Sequence, residues 1–474
     1  MSPPAFPILS ALVFLPVAGA LVVPFLRRER VDIVKGWTLL VSLANLGLAV
    51  ALLVGFQSGT AAMQFVERAP WFPGLGISYH LGVDGISVLL VVLTALLTPV
   101  AVAASWREMG GRAKEYGVFV LLLEAGVIGA FVALDLALFF VFWEAMLIPM
   151  YLIIGICGGE RRVYAALKFF LYTAVGSLAM LLAIVALAIL HQGGTGKYSF
   201  DLADLAGMQL PADAALWIFL GFAVAFAVKV PVFPLHAWLP DAYTQAPTAV
   251  LVLATMLVKV GSYGFLRFGL TLFPEQMVAS APLFMVLAVV GVVYAGLIAV
   301  VQRDVVRLVA YSSVAHMAFI VLGIFSLNPQ GISGATIQMV NHSLSTGGLF
   351  ILAAMVAERT RTTRISSLGG LADRWPVLAA LFTLVLFSSV GLPGLNGFVG
   401  EFLILLGAFR AEPIAAVVAA SGVVLAAVYL VWMFQRAMHG EDSRAGEGMG
   451  DLGGREVATL IPIVVMIERI GLFP

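Results

Sequence analysis

The stretch FAVKVPVFPLHAWLPDAY, Phe226 to Tyr243, decides how this chain is read. Its first half continues an apolar run of membrane-spanning length, and Lys229 falls well inside that run. Pro231 and Pro234 follow at once, and neither can donate a backbone N–H to the preceding turn. A charge buried in a span and a helix broken beside it are both costly. Their coincidence implies a polar pathway through a membrane rather than a plain anchor.

Composition agrees. Apolar residues make up 62% of the 474, charged residues 11%, and the mean hydropathy is +1.06. A soluble domain carries about 25% charged residues, so a water-facing fold is excluded. The formal net charge is zero, which argues against a nucleic-acid partner. Cys157 is the single cysteine, so no disulfide framework, haem attachment or iron–sulfur spacing can arise within the chain. The first apolar run lacks a basic region before it and a small-residue cleavage site after it. It reads as a span rather than a signal peptide.

The expected fold class is therefore an all-α polytopic membrane protein. Hydrophobic segments predict fourteen spans, at 6–26, 34–56, 82–105, 117–134, 136–157, 165–190, 215–236, 248–270, 281–302, 305–327, 332–357, 376–407, 413–435 and 455–472. Alternate loops separate by charge. One set holds Arg27, Arg28, Arg30, Lys35, Arg107, Arg112, Lys114, Arg161, Arg162, Arg303, Arg307, Arg359, Arg361, Arg364, Arg374, Arg436, Arg444 and Arg455; the other holds Arg68, Lys197 and Arg410. Eighteen against three places the first set in the cytoplasm and both termini outside. Pro-interrupted segments recur at 215–236 and, with Pro393, at 376–407, five spans apart. Five is odd, so two five-span units would have inverted topology, the pattern that marks a transport route.

Several ionisable residues fall far from any loop. Glu124 lies 11 residues before Asp135 and Glu144 lies nine after it. At about 1.5 Å per residue both sit some 14–16 Å deep, near the middle of a hydrocarbon core about 30 Å thick. Lys229, Lys259, His316, His342 and Glu401 lie inside their own spans by the same count. Each isolated charge there costs roughly 2.5–3.5 kcal/mol.

Structural readings stand beside the functional one. Glu124 can be a carboxyl bonded between helices, Glu144 and Lys229 a buried structural pair, and Lys259 an interhelical strut. His316 and His342 can be neutral hydrogen-bonders between helices. Lys168 and Arg267 read as snorkelling toward opposite surfaces. Asp84, Asp135 and Asp241 sit near span ends and read as caps. A proton relay accounts for more of the set at once, because acids, lysines and histidines at one depth are what it requires. A carboxylate about 7 Å from Lys229, at an effective dielectric near 20, contributes roughly 2.4 kcal/mol toward holding its proton. Moving or neutralising that carboxylate is therefore a switch. Pro231 and Pro234 free carbonyls for water near Lys229; Gly391, Pro393, Gly394 and Gly397 do the same ahead of Glu401.

The strings LDLALFFVFWEAMLIPMY (134–151), KVPVFPLHAWLPDAYTQAP (229–247) and KVGSYGFLRF (259–268) are together highly specific. VDGIS (83–87), SSVAHM (312–317), NHSLSTGGLFIL (341–352) and GLPGLNGFVGEF (391–402) extend the match over nearly the whole chain. On these motifs the chain resembles the antiporter-like membrane subunits of respiratory complex I, the proton-pumping NADH:quinone oxidoreductase, which are related to Mrp-type cation/proton antiporter subunits. The resemblance implies an N-terminal three-helix segment (1–116), two inverted five-helix half-channels (117–270 and 281–435), each with a broken helix, and a last loop and span (436–474). It implies that Glu144 and Lys229 form a Glu–Lys pair, that Lys259 connects the halves, that His316 and His342 relay, and that Glu401 is the terminal station. Glu124, His236, Asp241 and Asp135 are accessory candidates, with His236 and Asp241 at the cytoplasmic mouth. Glutamate at 401, and an end after the fourteenth span without a long lateral helix, make the chain most like the chain M type, whereas chain L, chain N and Mrp subunits typically place lysine at that station.

The resemblance further implies no cofactor in this chain. NADH, FMN, iron–sulfur clusters and quinone are expected in partner subunits. Expected partners are the bilayer, neighbouring antiporter-like chains and a lateral helix of one of them, in a bacterial inner membrane. An Mrp-like sodium/proton antiporter subunit, a membrane subunit of an energy-converting hydrogenase, and a purely structural membrane subunit are the rival readings.

Overall fold

The computed structural model describes residues 6–443 and 445–474; Arg444, counted above in the arginine-rich loops, lies outside the described residues. The described chain is mostly helical and divides into two compact units, Met1–Val230 with Met256–Ala279, and Pro231–Thr255 with Ser280–Pro474. Among the described residues, twelve helical stretches are long and apolar enough to cross a membrane. The two other expected spans look different. Segment 376–407 is two shorter helices, and 455–472 falls on a 19-residue helix, Gly454–Leu472, carrying Arg455, Glu456, Glu468 and Arg469.

The first unit begins with α1 (Ile8–Val22), α2 (Val31–Gly55), α3 (Ser87–Ala104) and α4 (Ala113–Val132). Helix α4 packs on α1, α2 and α3 and then on α5 (Leu136–Ala145) and α6 (Leu147–Cys157). Glycines make this close approach feasible: a Cβ on Gly117 would lie 2.5 Å from Thr38 Oγ1, and one on Gly129 2.3 Å from the Phe142 ring. With lipid on the outside, van der Waals packing through small residues is what holds helices together. The expected span 136–157 is interrupted at Met146 between α5 and α6. Pro149 cannot donate to the Ala145 carbonyl one turn earlier, which accounts for the interruption.

Helix α7 (Arg162–Thr195) packs along α9 (Ala212–Lys229), with the four-residue α8 (Leu202–Leu205) between them in sequence. Its outer face exposes Val163, Leu167, Leu171, Val175, Leu178, Leu182, Val185 and Ile189, an unbroken apolar stripe at helical spacing. Such a stripe is too large for a water-facing surface and is suited to acyl chains.

A two-stranded antiparallel hairpin, β1 (Gln64–Phe72) and β2 (Ile77–Val83), departs from the all-helical expectation for the segment between the second and third spans. It clamps one end of the unit. β2 bridges Ala133 through Leu81, and Asp135 bridges Asp201. Asp201 accepts from the Ala203 N–H and lies 2.9 Å from Arg68 Nη2 and 2.7 Å from His80 Nδ1. Burial alone would raise the Asp201 pKa, but His80, the Ala203 N–H and Arg68 outweigh it and hold the carboxyl below its usual range. Asp135 caps α5, accepting from Ala137 and Leu138 N–H, and also bonds Ser78. There burial wins over the hydrogen bonds, and its pKa is raised.

The second unit holds α10 (Trp238–Gln245), then α13 (Pro274–Val300) from Ser280 onward, α14 (Val305–Phe325) and α15 (Pro329–Thr360). Helix α11 (Thr248–Gly264) contributes Thr248–Thr255 here and the rest to the first unit, where a π-helical turn, Phe265–Gly269, and α12 (Leu270–Leu272) follow. Beyond the short α16 (Leu371–Arg374) come α17 (Pro376–Val390), α18 (Asn396–Ala411), α19 (Pro413–His439) and α20 (Gly454–Leu472). Helices α14 and α15 are almost wholly buried. Glycines let α15 and α18 pack closely: a Cβ on Gly334 would lie 2.6 Å from the Ile404 nitrogen, and one on Gly407 2.4 Å from the Gly331 nitrogen.

The loop after α19 is tied down by Arg359. Its guanidinium reaches both carboxylate oxygens of Glu456, at 2.9 and 2.7 Å, and the carbonyls of Gly450 and Asp451. Asp451 in turn accepts from the first N–H groups of α17. Glu468 and Arg469, unexplained by the sequence, lie exposed; Arg469 donates to the Phe473 carbonyl.

Candidate functional site

Both expected helix breaks are present. Helix α9 ends at Lys229 and α10 starts at Trp238, with Pro231 and Pro234 between. Helix α17 ends at Val390 and α18 starts at Asn396. Gly391 closes α17 with φ +82°, a left-handed conformation that favours glycine.

In the first unit Lys229 is 1% exposed, at the C-terminal end of α9. Its ammonium lies 4.8 Å from the centroid of the Trp143 ring, a cation–π contact that partly replaces lost hydration. Among the described residues Lys229 Nζ has no hydrogen-bond partner. Glu144, on α5 one residue after Trp143, is close enough to act on Lys229 electrostatically. Glu144 is only half-buried, and Val141 and Ile148 on the same face are exposed. Trp143 is held in place by its indole N–H donating to Ser177 Oγ at 3.0 Å. Gly261 lets α11 approach: a Cβ there would lie 3.0 Å from Lys229 Cβ. Lys259, two residues earlier on α11, is completely buried.

Glu124 is also buried, but its observed partner is Asn45 on α2, whose amide donates at 2.8 Å. That is the bonded interhelical carboxyl of the structural reading. Asp135 is a helix cap, as described above. Arg267 does not snorkel: it is buried, lies 2.6 Å from Asp84 and donates to the Tyr263 hydroxyl. Burial would raise the Asp84 pKa, but the Arg267 charge and the N–H groups of Ile86 and Ser87 hold it low. Lys168 is half-buried, with its ammonium 5.8 Å from the Tyr164 ring.

In the second unit, three predicted residues meet. His316 on α14 places Nδ1 3.1 Å from Oε1 of Glu401 on α18, and the His316 and His342 rings are 5.8 Å apart. These three line one narrow cavity with Gln338, Ser345, Thr346, Ser388, Ser389 and Gly397. All three are nearly inaccessible. His236 lies beyond the first break, its ring 5.7 Å from that of Phe233 and 5.4 Å from that of Tyr294. Asp241 lies in the first turn of α10.

The sequence reading missed the neutral partners that hold these groups. Gln338 Nε2 lies 3.4 Å from Glu401 Oε1. A polar chain supports the second break: Asn341 Nδ2 donates to the Asn396 carbonyl at 2.6 Å, Ser388 Oγ to Asn396 Oδ1 at 2.5 Å, and Ser345 and Ser388 hydroxyls meet at 2.5 Å. The signal was available. Gln338, Asn341, His342 and Ser345 form a polar stripe at helical spacing on α15.

Buried ionisable groups set at helix breaks inside a multi-span bundle define a membrane protein whose interior, not its surface, carries the polarity. Residues 133–427 match the family model described as NADH:quinone oxidoreductase/Mrp antiporter, TM. The chain is 43% identical, over 98% of its own length and 93% of the relative's, to NADH-quinone oxidoreductase subunit M of Rhodobacter capsulatus. A chain of respiratory complex I from Thermus thermophilus superimposes with TM-score 0.89 at 37% identity, covering 98% of this chain and 96% of that one. A chain of the Mrp complex from Dietzia sp. gives TM-score 0.85 over 98% of this chain and 94% of that one; at 24% identity this shows a shared fold. The chain belongs to the NADH:quinone oxidoreductase/Mrp antiporter transmembrane family.

Proposed function

We infer that this chain is a proton-translocating membrane-arm subunit of an NADH:quinone oxidoreductase, of the type named subunit M in its relatives. The observation that carries the inference is near-full-length identity of 43% to such a subunit. Glutamate at 401 agrees with it, because the antiporter-type relatives of the resemblance place lysine there.

The proposed translocation runs through Glu144, Lys229 and Lys259 in the first unit and His316, His342 and Glu401 in the second. Glu144 switches the hold of Lys229 on its proton, and the proton passes by way of Lys259 to the His316–His342–Glu401 group. Glu124, His236, Asp241 and Asp135 are accessory at most. Moving one charge against 100 mV requires about 2.3 kcal/mol, close to the roughly 2.4 kcal/mol that a carboxylate about 7 Å away exerts on a lysine. The chain carries no redox step in this scheme. NADH, FMN, iron–sulfur centres and quinone act in partner subunits, and the subunit serves the translocase by moving charge.

The proposed architecture has fourteen spans. In it α4, α5/α6, α7, α9/α10 and α11 form one five-span repeat, and α13, α14, α15, α17/α18 and α19 form the inverted second. Support comes from the position of the break, which interrupts the fourth span of each set. The charge bias of the loops supports both termini outside, and the bacterial relatives support a bacterial inner membrane. Neighbouring antiporter-like chains and a lateral helix are the proposed protein partners.

The test is proton movement in inverted membrane vesicles. NADH oxidation should acidify their lumen without dependence on sodium. Sodium-driven proton exchange in vesicles given neither NADH nor quinone, with no NADH-driven acidification, would instead establish an antiporter.

A further inference from the structure

A second polar feature, lined by none of the relay residues, lies on the surface of the second unit. Arg303, between α13 and α14, and Arg436, near the end of α19, line a recess of about 380 Å³. Its remaining walls are Val300, Val301, Gln302, Ile365, Ser366 and Trp432. No carboxylate is among them. The adjacent acid, Asp304, caps α14 through the Arg307 N–H and accepts from the Thr363 hydroxyl. Both lining arginines are exposed, and Arg436 stacks over Trp432 at 5.2 Å.

What leads into the recess is apolar. Helices α13 and α19 touch through glycine: a Cβ on Gly296 would lie 3.0 Å from Leu425, and one on Gly422 2.3 Å from Val292. Flanking this contact, α19 exposes Val424, Val428 and Trp432 in successive turns, with Arg436 one turn further. Helix α13 exposes Val290, Tyr294, Leu297 and Val301 in the same sense, ending beside Arg303. Two apolar tracks thus run along neighbouring helices toward one pair of guanidinium groups, with a tryptophan where track meets charge. Tryptophan at that level is typical of a headgroup boundary, and a guanidinium fork matches phosphate oxygens. Arg303 and Arg436 belong to the arginine-rich loop set, which the charge bias assigns to the cytoplasmic face.

We propose that the α13–α19 groove is a binding site for one anionic phospholipid of the cytoplasmic leaflet, with its phosphate between Arg303 and Arg436 and its acyl chains along Val424–Val428 and Val290–Leu297. Charge complementarity selects this occupant: an acyl chain alone needs no arginine, and a zwitterionic headgroup brings an ammonium to a recess without a carboxylate.

The experiment uses the full-length chain in mixed nanodiscs of phosphatidylcholine with phosphatidylglycerol, followed by native mass spectrometry of the lipid retained after mild delipidation. The wild type should keep one phosphatidylglycerol more than Arg303→Gln/Arg436→Gln. Its retention should weaken roughly fivefold per arginine removed, or roughly 25-fold for the pair, from about 1 kcal/mol for each basic residue at an anionic surface. Arg161→Gln/Arg162→Gln removes the same charge from the first unit and should leave retention unchanged. Trp432→Ala should weaken retention while both charges remain. Inorganic phosphate at millimolar concentration should not displace the lipid, since it lacks the chains. Equal retention in the wild type and the Arg303/Arg436 variant overturns the proposal, as does displacement by phosphate alone. Cross-linking of position 436 to a partner subunit in the native membrane, with no lipid retained there, would overturn it in favour of a protein occupant.

Discussion

His316 Nδ1 stands 3.1 Å from Glu401 Oε1, across the seam between α14 and α18. The carboxylate can lie there because Gly391, at the end of the broken helix, has no side chain: a Cβ would come within 2.6 Å of Glu401 Oε2. The helix break therefore does two things at once. It ends α17, and it makes room for a charged group between buried helices.

Replacing Gly391 by alanine should strain both features. The φ of +82° costs an L-residue about 1–2 kcal/mol, and the carboxylate must move from its place beside His316. Gly391→Ala should assemble at reduced level and translocate on the order of tenfold more slowly, if about 1.4 kcal/mol of coupling at Glu401 is lost. Proton flux per assembled complex, normalised by immunoblot, checks this. Gly394→Ala, where a Cβ meets nothing within 4 Å, should retain more of the flux.

The Arg359–Glu456 pair predicts a stability effect separate from translocation. Both side chains are buried and doubly bonded. Breaking such a pair from one side costs about 3–5 kcal/mol, because the remaining charge is left unmatched. Arg359→Gln should lower the unfolding temperature in detergent, and Arg359→Gln/Glu456→Gln should recover part of the loss. Unfolding followed by tryptophan fluorescence reports it directly through the nearby Trp375, 5.8 Å from the Arg359 guanidinium.

The hairpin clamp should weaken in acid. The folded pKa of Asp201 lies below its usual value. Its contribution is therefore complete above the unfolded carboxylate value of about 3.9 and is lost as pH falls through the lower folded value. Asp135 has the opposite sign: raised in the fold, it favours the clamp in acid and loses that contribution as pH rises through its folded value. The diagnostic is therefore a variant. Asp201→Asn should show lower hydrogen-exchange protection factors over β1 and β2 already at neutral pH, and little further change on acidification. Wild-type protection factors over β1 and β2, taken against the intrinsic rate at each pH, that do not fall as Asp201 is protonated would contradict the assignment.

Much of this was legible beforehand, for identifiable reasons. Apolar runs gave twelve of the spans because burial in lipid leaves a continuous signal. Pro231, Pro234 and Pro393 marked both breaks because a missing N–H acts locally, whatever surrounds it. Arg267 was misread because its partner, Asp84, is far away in sequence and nothing local announces the ion pair. The hairpin at 64–83 falls in a stretch between expected spans; its strands pair with each other, and its anchoring to the rest of the unit comes from Leu81 bridging the distant Ala133 and from Arg68 and His80 meeting Asp201. Gln338, Asn341 and Asn396 were overlooked because neutral polar groups cost less in a span than charges and draw less attention. Their importance comes from Glu401 and Ser388, which only the fold brings to them.

Buried Lys229, switched by Glu144, is the proposed carrier of the proton. The most direct measurement is the number of protons translocated per quinone reduced in NADH-energised membranes, for the wild type, Lys229→Ala and Glu144→Ala. Subunit content should be matched among the three. Both variants should assemble, with proton translocation falling sharply in each. Full proton translocation in both variants, at unchanged quinone reduction, would contradict it.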